Sequence, residues 1–102
     1  MTEKQAEINK KELYAQAWAQ FGAYKQTVVA MEECAELTKE LSKVLRDKGN
    51  LINVAEEIAD VEIMIEQIKQ HFACGDTVEQ IKDFKLRRLH NKLNEGNNNE
   101  KF

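Results

Sequence analysis

Apolar residues along this chain recur at three- and four-residue intervals, the period of a helix surface. Four helical segments are predicted from that pattern. The first opens on Thr2-Glu3-Lys4-Gln5, the spacing of a capping box. It carries Ala6, Leu13, Tyr14, Ala17 and Trp18 to about Gln20, and Phe21-Gly22 should then break or bend it. A second helix is expected from Ala23 to Arg46, with Val29, Ala30, Leu37, Leu41 and Val44 in one apolar arc. Asp47-Lys48-Gly49-Asn50 reads as a turn, with Gly49 suited to its left-handed position. Asn50 or Asn53 can cap the third helix, whose arc holds Val54, Val61, Met64, Ile65 and Ile68. That helix should end near Ala73, before Cys74-Gly75. Asp76-Thr77-Val78-Glu79 has the form of an N-cap and first turn for a fourth helix reaching about Asn94.

The fold class predicted is therefore all-α, an antiparallel bundle of about four helices. At 102 residues the chain reads as a single domain over residues 1–94, with 95–102 as a polar, disordered tail. Ile58 stands beside the third helix's arc, and Ile52 and Ile63 stand on its far side. A second apolar face is covered either by another helix of the chain or by a second copy. A homo-oligomer, dimer or tetramer, is the favoured expectation.

Composition narrows the function. With no proline and four glycines, little in the chain interrupts helix. A net charge of −3 argues against general affinity for nucleic acid. Two cysteines make neither a disulfide framework nor a Cys-rich zinc site; Cys34 is expected to pack as a small apolar residue. No stretch has the length and apolarity of a membrane span or a signal peptide, so a cytoplasmic protein is expected.

Acids interrupt this amphipathic pattern. At about 100° per residue, Glu33 falls inside the apolar arc of the second helix and Glu57 inside that of the third. Each has an acid three residues on, Glu36 and Asp60, close to the same face. The turn between the helices would bring the two pairs opposite one another. Four ionised carboxylates drawn together repel, and a hard divalent cation such as Mg²⁺, or Mn²⁺ in its place, relieves that repulsion through oxygen ligands. Glu33, Glu36, Glu57 and Asp60 are the predicted metal ligands. Glu32 is a candidate base or outer ligand, Glu56 a helix-dipole partner, and Glu40 an outer acid. Glu62 and Glu66 should be solvated. His71 and His90 lack the Glu-x-x-His spacing of a di-iron bundle.

Glu32-Glu33-Cys34-Ala35-Glu36, followed some twenty residues later by Glu57-Ile58-Ala59-Asp60, resembles the MazG-like nucleotide pyrophosphohydrolases of the all-α NTP pyrophosphatase superfamily. The flanks from Trp18 to Gln26 and from Val61 to Met64 fit as well. The likeness spans about Trp18 to Leu93. It implies Mg²⁺-dependent cleavage of a nucleoside triphosphate between the α- and β-phosphates, giving a monophosphate and pyrophosphate. It implies Glu33, Glu36, Glu57 and Asp60 as ligands, with Glu32 or Glu33 serving the attacking water. Lys85, Arg88 and Lys92 share one row of the fourth helix. Family members resemble its Lys-x-x-Arg-Leu run, which makes Lys85 and Arg88 candidate phosphate contacts; an ordinary solvated basic face is the competing reading. Phe21 and Gln26 are candidates for base recognition, while Trp18 suits a core anchor. The rival reading of the whole chain is a non-catalytic helical module that binds metal, nucleotide or a protein partner.

Overall fold

The computed structural model describes residues 6–95, so the Thr2–Gln5 capping box and most of the C-terminal tail lie outside it. The chain is all-α: α1 Lys10–Phe21, α2 Ala23–Leu45, α3 Leu51–His71 and α4 Gly75–Glu95, with no strand among the described residues. None of these helices is long and apolar enough to cross a membrane.

Local chemistry sets the helix ends, and it moves several of them. Residues 6–9 are not helical, and α1 begins where the Asn9 side chain accepts from the Glu12 N–H at 3.1 Å. Gly22 makes the expected break at φ 90°, a conformation suited to glycine. Its N–H still bonds the Trp18 carbonyl at 3.0 Å, and its own carbonyl starts α2 by accepting from Gln26 at 3.1 Å. One residue thus serves as the end of one helix and the start of the next.

At the α2–α3 turn the left-handed residue is Asp47, at φ 57°, rather than Gly49. The Asp47 N–H bonds the Val44 carbonyl at 3.1 Å and the Lys48 N–H bonds that of Lys43 at 2.9 Å, the paired bonds of a Schellman ending. Gly49 is needed for a different reason. A Cβ there would collide with the Val44 side chain and lie 2.7 Å from its Cα. Of the two asparagines, Asn50 caps α3, accepting from Ile52 at 2.8 Å and Asn53 at 3.3 Å. α3 stops at His71, earlier than expected, and Ala73 takes a left-handed φ of 52°. α4 starts from Cys74, whose carbonyl accepts from Val78 at 2.9 Å. Asp76 therefore lies within the first turn, where its charge meets the helix dipole, and not at the cap.

The helices form two compact units, each described by itself. The first ends at His71, and in it α1, α2 and α3 all pack on one another; α4 belongs to the second, which starts at Phe72. In the first unit the short turn makes α2 and α3 an antiparallel hairpin. The buried apolar residues are few: Tyr14, Trp18, Ala30 and Met64. Polar contacts tie α1 to this hairpin. The Trp18 indole Nε1 donates to Gln67 Oε1 at 2.8 Å, and Gln26 Nε2 donates to the same oxygen at 3.1 Å. Trp18 also stacks on His71 with ring centres 4.1 Å apart. The Tyr14 hydroxyl donates to Glu66 at 2.6 Å, with Lys10 3.4 Å from that oxygen. Glu66 is thus a cross-helix acceptor, not the solvated acid expected. Ile52, Ile58 and Ile63 are all exposed.

Candidate metal centre

Two contacts fix the register of α2 against α3. Gln26 meets Gln67 near one end of the hairpin, and Glu33 meets Asp60, with carboxylate oxygens within 4.8 Å of each other. The two pairs are seven residues apart on each helix, two turns, so one face of α2 follows one face of α3. Buried or half-buried residues trace the seam: Gln26, Ala30, Glu33, Leu37 and Glu40 on α2, and Val54, Glu57, Val61, Met64 and Gln67 on α3. α1 meets the hairpin through residues 66, 67 and 70, towards the C-terminal end of α3.

At the middle of this seam Glu33, Glu57 and Asp60 each point a carboxylate oxygen to one spot, all within 4.8 Å of one another. Burial raises the pKa of Glu33 above the usual carboxylate range. The adjacent Asp60 carboxyl and the charges of Glu57 and Glu36 push it further the same way. Burial also raises Glu57, followed by the charges of Asp60, Glu36, Glu40 and Glu56. Glu57 Oε2 is buried with no hydrogen-bond donor. Buried oxygens without donors are costly, and crowded carboxylates are ready ligands for a hard cation. The donor set is all oxygen, which suits Mg²⁺ or Mn²⁺ and not a thiolate- or imidazole-seeking metal.

The other residues expected at a site are distributed around this triad. Glu36 is exposed and outside the tight group, though its charge acts on both Glu33 and Glu57. Glu32 is exposed on a different side of α2 from Glu33. Phe21 is exposed at the end of α1, with the Lys25 ammonium 5.4 Å from its ring centre. Gln26 is buried, its amide nitrogen held by Gln67. On α4, Lys85 is exposed and Arg88 half-buried. Cys34 is exposed rather than packed, because it lies one residue round the helix from the seam.

Two features were not anticipated. Glu40, assigned to an outer position, is 7% exposed and lies in the seam. Its spacing from Glu33, seven residues, is the signal that reveals it. The Trp18–Gln67–Gln26 network is the second, with Gln67 following Asp60 by the same seven residues. Beside that network opens a cavity of about 400 Å³, lined by Tyr14, Trp18, Gln67, Gln70 and His71 among others.

Comparison with protein-family models, curated proteins and solved structures finds no match to this chain. The chemistry of the site therefore rests on its own side chains.

Proposed function

We propose that this chain is a Mg²⁺-dependent nucleoside triphosphate pyrophosphohydrolase of the MazG-like kind. The observation that carries the reading is the convergence of Glu33, Glu57 and Asp60 from two antiparallel helices onto one spot, with a donorless buried oxygen on Glu57. The order and spacing of the two acid motifs, which resemble that family, add the reaction class.

In this reading Glu33, Glu57 and Asp60 hold the cation and Glu36 closes the shell from the rim. The bound cation would polarise a phosphoryl oxygen and offset its charge. Glu32 or Glu33 orients the attacking water and takes its proton. The water oxygen adds to phosphorus, the bridging P–O bond of the α–β anhydride breaks, and pyrophosphate leaves with the electron pair. Phe21 and Gln26 are proposed for the base. Lys85 and Arg88 enter as phosphate contacts through their charge and shared row on α4. The protein would work in the cytoplasm as a homo-oligomer.

A product assay across NTPs and dNTPs with Mg²⁺ tests the reading. Pyrophosphate and a monophosphate are expected, and release of orthophosphate instead would overturn the proposed bond. Glu33→Gln and Asp60→Asn should each lose about 100-fold or more, since even outer-shell changes at metal sites cost about 10–100-fold. Sustained Mg²⁺-nucleotide binding with no turnover would mark a non-catalytic module instead.

A further inference from the structure

α1 joins the hairpin through a single residue. Gly22 ends α1 by donating to the Trp18 carbonyl and starts α2 by accepting from Gln26. Its φ of 90° and ψ of 152° lie where residues with a side chain rarely go. A Cβ on Gly22 would meet nothing within 4 Å, so no packing braces the joint. Beyond it α1 has 12 residues and buries only Tyr14 and Trp18. Leu13 and Phe21 are half-exposed.

What holds α1 to α3 is polar and local. Lys10 and Tyr14 reach Glu66, Trp18 reaches Gln67, and Gln70 donates to the Lys11 carbonyl at 2.8 Å. Trp18 adds its stack on His71. These partners all fall within residues 66–71, less than two turns of α3. Ala15 and Ala19 line the cavity of about 400 Å³ along with Gln67, Gln70 and His71, so much of the α1–α3 contact is open space that forgoes dispersion contacts. The α2–α3 seam, by contrast, runs from Gln26 and Gln67 to Glu40 and Val54.

We propose that α1 is a hinged strap, which lifts off α3 about Gly22 while the α2–α3 hairpin stays closed. A helix of this length is marginal in water by itself, so α1 unfolds as it leaves. Gln67 Oε1 keeps its bond from Gln26 when Trp18 goes, which leaves the seam intact. The cavity has walls on both helices and exists only with α1 down. A molecule held there would keep the strap closed, which makes α1 a switch for whatever the cavity takes up. The strap requires neither a cation nor a nucleotide, and its failure would leave the triad untouched.

Native-state hydrogen exchange on the full chain, resolved by residue, tests it. In wild type the amides of residues 13–22 should exchange about tenfold or more faster than the best-protected amides of the α2–α3 seam. Gly22→Ala strains the closed joint without a steric clash, and the open strap is free of that strain. It should speed exchange in α1 by a further tenfold or so and leave the seam unchanged. Tyr14→Phe keeps the ring, removes the donor to Glu66, and should loosen α1 alone by about tenfold. Exchange of α1 in step with the seam in wild type would overturn the strap. Equal loosening of α1 and the seam in either variant would overturn it as well.

Discussion

A carboxylate on the apolar face of a helix costs stability unless something holds its charge, and Glu33 shows how the cost is met. Its pKa is raised first by burial and then by its acidic neighbours, so taking up a proton offsets part of the cost. Glu57, also raised first by burial, has an oxygen with no donor. Their unfolded values lie in the ordinary carboxylate range, so folding takes up protons in the window between those values and the raised folded ones. Stability in a chelator should consequently fall as pH rises through that window and stay lowered above it. Glu66 has the opposite sign. The Tyr14 hydroxyl chiefly lowers its pKa, so its contribution is present above the unfolded value and lost as pH falls through the folded one. The expected profile in chelator has a maximum between an acid limb set by Glu66 and an alkaline limb set by Glu33 and Glu57, and Mg²⁺ should restore the alkaline limb. Glu33→Gln replaces a half-buried, crowded carboxylate with a neutral amide beside Asp60. Above that window in chelator it should melt higher than wild type, on the order of 4 °C, and gain little from added Mg²⁺. Thermal melts with and without chelator check this; a variant less stable than wild type in chelator would contradict the account.

At the scale of helices, what holds α1 to the hairpin is largely polar. Gln67 Oε1 accepts from both Trp18 and Gln26, so one amide joins three helices. Gln67→Leu keeps the size and removes the acceptor from two buried donors. Each unsatisfied buried donor costs about 1–3 kcal/mol, and a loss of about 2–4 kcal/mol is expected, read from the denaturation midpoint. An effect within error would show that water or another group satisfies them. Such a network was not legible in the sequence, because it depends on where α1 crosses α3, some fifty residues away. The Tyr14–Glu66 bond was hidden for the same reason. The helices themselves were legible, since their apolar period states which face packs. Their ends were less so, because several polar residues compete to cap each one. Asn9 starts α1, and Asp47 rather than Gly49 turns left-handed, since the Schellman bonds reach Asp47 first. At the site, Glu33, Glu57 and Asp60 could be placed from period and turn alone. The exposure of Glu36 and the burial of Glu40 could not, because they depend on which line of α2 forms the seam.

For the whole molecule, the proposed association rests on exposed apolar surface. The first unit buries Tyr14, Trp18, Ala30 and Met64, yet leaves Met31 66%, Ile52 69%, Ile58 41% and Ile63 45% exposed. Exposed apolar side chains of this kind are surface that a second copy could cover. A second copy of the chain is the proposed cover, as a homo-oligomer would bury the same face on each subunit. Burying one isoleucine contributes about 1.5–3 kcal/mol, and a two-fold interface contains each position twice. Ile63→Lys should therefore weaken association by about 100-fold or more and also lower the melting temperature in a concentration-dependent way. Sedimentation velocity over a wide concentration range reads both the wild-type assembly and its loss. Wild-type protein that sediments as a monomer throughout would refute the assembly. A variant that assembles as tightly as wild type would move the interface away from Ile63.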